Sequence, residues 1–370
     1  MNEKIELTAI MKYLVIAIVF FDYLSNTGLI TSSIYSALMA VSILMTYFVF
    51  SKRRGGFAII ELIVLIISFL FVILNRDPSN FSLGLMWILY FIFRKCEING
   101  RVLLKTYAIT ASICFSISVI LYYLIGFNKK SDMLMWRNEG FVPRLSLGFI
   151  QPNMTMMSFL GIILALLYLS NLKRKNTVLM IIGTLIVFKL TQSRTSGYII
   201  FILLGICLIF GKKYMSVVSM ALKRLVLLLP IVLSAISFAM LKLPINEKLD
   251  SLLSGRISLY QMIYYEFGIH LLGNSASKST MLDTGYLQAM IAKGILFTLF
   301  LAISFYIILF KSRKNQSRVD MLVIAVYFLV AFTETSFFRF VLLLPVLIIA
   351  MNRIAFESPT NHLSSKKEID

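Results

Sequence analysis

Residues 244–285, PINEKLDSLLSGRISLYQMIYYEFGIHLLGNSASKSTMLDTG, form the one long polar interval in a chain that is otherwise a string of apolar runs. That contrast decides the fold class. Apolar runs lie near 8–24, 28–50, 57–74, 81–93, 102–127, 145–170, 177–190, 196–210 and 225–243 before the interval, and near 286–310, 319–335 and 337–351 after it. They predict an all-α polytopic membrane protein with about twelve transmembrane helices (about ten to twelve), since each crossing takes roughly 20 apolar residues. Runs 81–93, 177–190 and 196–210 fall short of that length and are expected to borrow flanking residues or to be partly re-entrant.

Composition excludes the soluble classes. Of 370 residues, 59% are hydrophobic and 14% charged, and the mean hydropathy is +0.87. The whole chain, 1–370, reads as a single membrane domain. A net charge of +19 would point to nucleic acid in a soluble protein. Here its distribution is a topology signal, because cytoplasmic loops collect Lys and Arg. Alternate loops counted from a cytoplasmic N-terminus hold most of the cations, as in Lys52–Arg54, Lys173–Lys175 and the tail. The opposite set, Arg76, Lys129, Lys130, Arg137, Arg144, Arg194, Lys248, Arg256, Lys278 and Arg339, is less than half as large. Both termini are therefore expected inside. The interval 244–285, between the ninth and tenth spans, falls on the outer face, with a second outer loop at 128–144. The start of the chain has a charged head and an apolar run with no small-residue cleavage site, and reads as an uncleaved first span. Cys96, Cys114 and Cys207 have neither disulfide nor metal spacing.

Cations on an outer face run against the topology rule, and each invites a reason. In NKKSDMLMWRNEGFVPR (128–144), Arg137 and Arg144 can clamp an anionic head group, because a planar guanidinium meets a phosphate through two hydrogen bonds. Snorkelling is the alternative for Arg144 and the better account of Lys129 and Lys130. In RLSLGFIQPN, Gly148 and Pro152 predict a kinked helix that turns Gln151 and Asn153 toward a polar cavity. TQSRTSGY (191–198) is a polar knot whose hydroxyls are expected to hold Arg194 in place for an anion.

Within the large loop, Leu253, Ile257, Tyr260, Tyr264, Phe267 and Leu271 recur at helical spacing, which predicts an amphipathic helix from Ser251 to Leu272 on the membrane or capping the bundle. Arg256 borders its apolar stripe, within reach of a diphosphate. Glu266 and His270 stand four apart, either as a pair or as a solvated face. Asp283 is a candidate general base and equally a candidate cap of the helix that follows. Among intramembrane charges, Glu61 and Lys105 are candidates for an ion pair, and Lys189, Lys242 and Glu334 lie near enough to an end to snorkel.

Taken together, RLSLGFIQPN, TQSRTSGY, SGRISLY and DTGYLQAMIAKGI, in this order over roughly Arg144 to Phe310, resemble the Wzy polysaccharide polymerase and O-antigen ligase family, membrane glycosyltransferases of the GT-C type. The first 130 residues are less similar. The resemblance implies transfer of glycan on the outer face of a bacterial cell membrane, from a polyprenyl (undecaprenyl) diphosphate carrier, without cofactor or metal. It implies Arg194, Arg256 and Asp283 as catalytic residues; beside them, Arg137, Arg144, Gln151, Asn153, Tyr260, His270 and Tyr286 are the candidate substrate-binding residues. The implied partners are a lipid-linked oligosaccharide as donor and acceptor, membrane lipid, a chain-length regulator and a flippase, and no nucleic acid. The chain departs from the ligases in having Asp283 where they have His and Thr284 where an Asn often follows, which favours a polymerase. No Asp-x-Asp pair occurs, in keeping with metal-free chemistry. A flippase for the same glycan, or ligase-like transfer to another acceptor, is the alternative.

Overall fold

A computed structural model describes residues 2–53, 59–95, 99–137, 140–211, 216, 218–244, 250, 255–274, 282–311 and 317–351. Each predicted apolar run coincides with helix. The elements are α1 (Asn2–Asn26), α2 (Ser32–Arg53), α3 (Ile59–Asn75), α4 (Ser82–Lys95), α5 (Gly100–Ile125), α6 (Pro152–Leu169), α7 (Arg174–Thr191), α8 (Arg194–Phe210) and α9 (Met220–Met240). After them come α10 (Arg256–Phe267), α11 (Ile295–Lys311), α12 (Arg318–Thr333) and α13 (Phe340–Met351). Among the described residues, five helices are long and apolar enough to cross a membrane: Glu6–Asn26, Ser32–Lys52, Gly100–Ile125, Pro152–Leu169 and Met220–Met240. Shorter apolar helices accompany them.

The bundle is apolar on both its inside and its outside. Facing outward, α3 exposes Ile59, Ile63, Ile66, Phe69, Leu70 and Ile73, and α5 exposes Ile109, Ile113, Ile117, Ile120 and Leu124. Such stripes are costly in water and suit a lipid surround. At the centre, α4 is buried from Leu83 to Phe93 and α13 from Phe340 to Ala350. A helix apolar all round is an enclosed one. Helix α13 packs against α1, α4, α5, α6 and α12. Close approach to α6 depends on Gly161, where a Cβ would sit 2.4 Å from the Tyr107 hydroxyl and 2.5 Å from the Val341 carbonyl.

The structure corrects four expectations from the sequence. Loop 128–144 contains a two-stranded antiparallel hairpin, β1 (Met133–Arg137) and β2 (Gly140–Arg144), in place of a plain connection, while the fold stays predominantly helical as expected. The sixth helix begins at Pro152 and is not kinked there. Leu147 and Gly148 take positive φ (52° and 92°), and Gly148 leaves no room for a Cβ against the Ser118 carbonyl. Proline at the first helical position loses no hydrogen bond, which explains the boundary.

The run 286–310 is broken rather than continuous. A turn at Gly285–Leu287 leads into a π-helix, Gln288–Lys293, and Gly294 (φ 91°) separates it from α11. Residues His270–Gly273 press against this break, where Ile295 N donates to the His270 carbonyl and Leu296 N to that of Leu271. A Cβ on Gly294 would lie 2.6 Å from the Leu272 carbonyl carbon. Finally, Glu61 pairs with Lys95 (3.0 Å), not with Lys105.

Within the predicted amphipathic segment 251–272, the structure describes residues 255–272, and of these Arg256–Phe267 is helical. Residues 251–254 lie outside the described residues. Its buried face is Ile257, Tyr260, Gln261 and Ile263, while Leu271 is 65% exposed and lies beyond the helix. Long-range hydrogen bonds gather the other polar connections at the same end of the bundle. Asn128 reaches the Thr27 carbonyl, Arg256 that of Thr333, and Arg339 the Asn26 side chain.

Candidate functional site

Arg144 closes strand β2, and the chain is then pinned by Leu145 N donating to the Leu190 carbonyl (2.9 Å). This drives the guanidinium inward, to 8% exposure. Its Nε donates to the Thr191 carbonyl (3.2 Å) and its Nη2 to Asn153 Oδ1 (2.5 Å). Asn153, in the first turn of α6, also accepts from Ser193 Oγ (3.0 Å) and donates through Nδ2 to Glu334 Oε2 (3.2 Å). Thr195 Oγ1 donates to the other carboxylate oxygen of Glu334 (2.9 Å). One amide therefore joins β2, the α7–α8 turn and the end of α12.

Helix α10 supplies the other half. Asp250 caps it, accepting from Ile257 N (2.8 Å), Ser258 N (3.3 Å) and the Ser258 hydroxyl. The hydroxyl, with these backbone donors, holds the Asp250 carboxyl below its usual range. Gly255, in the left-handed region at φ 74°, turns the chain into the helix, so Arg256 is its first residue. Arg256 Nη1 donates to the Thr333 carbonyl (3.1 Å), and its Nη2 pairs with Asp283 Oδ2 (3.1 Å). Both side chains of this pair remain partly exposed.

The electrostatics tie the halves together. Glu334 follows the last residue of α12 and is 4% exposed. Burial pushes its carboxyl up to about 7, while Arg256, Thr195 and Asn153 pull it back and Asp283 adds to the rise. Burial lowers Arg144 from the ordinary guanidinium value, an effect that Glu334 and Asp283 oppose and Arg256 and Arg194 reinforce. Tyr260, one turn after Arg256 and buried, feels Arg256, Asp283 and Glu334, and burial holds its phenol neutral. Three guanidiniums face at most two carboxylates, one of them half-protonated near neutral pH. The excess is positive, and the arrangement suits a polyanion with planar oxygens.

The structure thus brings together Arg144, Asn153, Arg194, Arg256, Tyr260 and Asp283 from the sequence expectations. Arg194 opens α8, half-buried, but among the described residues no hydroxyl bonds it. Ser193 and Thr195 hold Asn153 and Glu334 instead. Gln151 is the residue preceding α6 and has no side-chain cap bond. His270 is not brought in; it is exposed, with Nε2 at 2.8 Å from the Phe267 carbonyl. Tyr286 is core, 2% exposed and packed edge-on to Phe337 at 4.7 Å. Arg137 lies in β1, and its side chain is outside the described residues.

Sequence reasoning missed Glu334, which reads there as a charge near a helix end. The available signal was its place in TETS (333–336), a polar break between two apolar runs. Among the described residues, no group of three His, Cys, Asp or Glu is placed to hold a metal ion.

Fold and site together describe a helical bundle with segments long and apolar enough to cross a membrane and an arginine-rich cluster where polar connections meet. No protein-family model, no curated protein and no solved structure matches the chain.

Proposed function

We propose that the chain is a metal-independent membrane glycosyltransferase that polymerises polyprenyl-diphosphate-linked repeat units into a surface polysaccharide on the outer face of a bacterial cell membrane. The convergence of Arg144, Arg194 and Arg256 with Asp283 and Glu334 carries this reading. A lipid diphosphate already contains its leaving group, so the protein need only neutralise the charge that develops as the anomeric C–O bond breaks. Preorganised guanidiniums do this without a nucleotide.

In the proposed step, the donor diphosphate takes over the Arg256 guanidinium and releases Asp283 from its ion pair. The freed carboxylate accepts the proton of a sugar hydroxyl on the second carrier-linked chain. That oxygen bonds to the anomeric carbon, and the polyprenyl diphosphate leaves with the electron pair of the broken bond. Asn153 is a positioning residue, holding Arg144 against Glu334.

The test is reconstitution in proteoliposomes with lipid-linked repeat units. Chain growth that is lost in Asp283→Asn and Arg256→Ala is expected. Translocation of the glycan without growth would replace this reading by a flippase, and transfer only to a non-polyprenyl acceptor would replace it by a ligase.

A further inference from the structure

A cavity of about 200 Å³ lies beside the segments that carry Asp283 and Glu334. Gly285 and Thr335 line it, two residues beyond Asp283 and one beyond Glu334. Half of its remaining lining bears hydroxyls: Ser25 at the end of α1, Ser32 and Ser36 one turn apart on α2, Ser79 and Ser82 before and at the start of α4, and Tyr35. Gln288 of the π-helix adds an amide, and Phe337 and Phe338 add two rings. Among the described residues, the hydroxyls of Ser25, Ser32 and Ser82 make no hydrogen bond.

Two cations reach this cavity, and both already have polar partners within the protein. Lys293 Nζ donates to Ser79 Oγ and Asn80 Oδ1 (2.7 Å each) and lies 3.8 Å from Asp77 Oδ2. Arg339 donates to Asn26 Oδ1 (2.9 Å) and faces the Asp22 carboxylate. The cations here each have protein partners, unlike the surplus guanidiniums of the arginine cluster. An anion gains little here, whereas a ring bearing several hydroxyls meets hydroxyl and amide partners along its edge and phenyl rings on its face. The volume lies below the roughly 300–1,000 Å³ of pockets that enclose drug-sized ligands, and so suits one ring better than a chain.

We propose that this cavity binds a neutral sugar residue, the end of the acceptor glycan, beside the anion cluster that holds the donor. The inference rests on the glycosyltransferase reading for the word acceptor, but binding of a neutral sugar does not depend on that reading. Two neighbouring sites, one with surplus positive charge and one lined by partnered cations, hydroxyls and rings, keep the diphosphate and the incoming hydroxyl apart until they meet at Asp283.

The experiment has a binding arm and a turnover arm. Purified full-length protein in detergent is titrated with glucose, galactose, N-acetylglucosamine and rhamnose, and separately with glucuronate and inorganic phosphate, by saturation-transfer NMR. At least one neutral sugar is expected to saturate, and Ser36→Trp, which fills the cavity from an exposed helix face, should weaken it about tenfold or more, as loss of a complementary polar pocket does. Gln288→Leu should weaken it several-fold, and Arg256→Ala should leave it unchanged. No saturable neutral sugar, a signal retained in both cavity variants, or a Ser36→Trp-sensitive site that prefers phosphate or glucuronate overturns the proposal. In proteoliposomes with lipid-linked repeat units, Ser36→Trp should raise the acceptor KM with kcat unchanged. Sugar binding without chain growth by the wild type would remove the polymerase and keep the cavity. Chain growth by Ser36→Trp equal to wild type would remove the cavity and keep the polymerase.

Discussion

Glu61 and Glu334 are equally buried, each 4% exposed, and sit in opposite chemical company. Glu61, in the first turn of α3, is matched by one ammonium, Lys95 Nζ at 3.0 Å, and by the Tyr47 hydroxyl. Glu334 is held directly by neutral donors, Asn153 and Thr195, while the guanidiniums of Arg144, Arg194 and Arg256 stand around it at longer range. The first arrangement cancels a charge with a dedicated partner. The second keeps surplus positive charge in place, and surplus charge is what a ligand can use. Burial alone would not have separated a structural pair from a site; the identity of the direct partners does.

This contrast can be broken in several ways, the largest effect first. Arg256→Ala removes the Asp283 ion pair and one of the fork-shaped donors, and chain growth in proteoliposomes should fall on the order of 10²–10³-fold, as for loss of a transition-state donor. Arg256→Lys, which keeps the charge without the fork, should recover only part of it. Asn153→Ala, which unlinks Arg144 from Glu334, should cost about tenfold in activity at normal protein levels, because a buried charged group is left with fewer partners.

The pH dependence sharpens the comparison further. Glu334 in the folded protein titrates near 7, above the ordinary carboxyl value of 4.5, so the native state holds a proton there that the unfolded chain has lost. Stability from this group is therefore full below pH 4.5 and is lost as pH rises through about 7. Below 7 the neutral carboxyl leaves only Asp283 opposing the guanidiniums, so donor KM should rise with pH across that point. Glu334→Gln should flatten both the KM profile and the pH slope of the thermal midpoint. A slope unchanged in that variant would assign the titration to another group.

Glu61→Gln should do the reverse. Loss of the charge opposite Lys95 should lower stability by about 1 kcal/mol, toward the weak end because the Lys95 side chain is 18% exposed. Activity per folded molecule should not change. His270→Ala is the smallest case, with activity within about twofold of wild type, as for an exposed residue away from the cluster.

Much of the helical architecture was legible because apolar length is a local property. Residues such as Ile109 and Leu164 announce a helix whichever neighbour they meet. The site was legible where a residue broke a local rule, as Arg144, Arg194 and Arg256 did by carrying positive charge in sparse polar connections. Glu334 broke no such rule. Its meaning depends on Asn153, 181 positions earlier in the chain. The hairpin was hidden because Met133–Trp136 and Phe141–Val142 lie inside a loop too short to show a period, and only their pairing reveals the strands. The break at Gly294 depends on Leu271 and Leu272 arriving beside it, a contact that no window of sequence contains.

The enclosure of α13 has a consequence for biogenesis. This helix emerges from the ribosome after α1 to α12, yet α1, α4, α5 and α6 all pack against it. Until it is delivered, the earlier helices must wait around a vacant axis, filled by lipid, by a chaperone or by loose association among themselves. Quality control of the nascent protein therefore has a single late checkpoint, and chains stopped after Thr333 should be recognised as incomplete and degraded although every earlier helix is present.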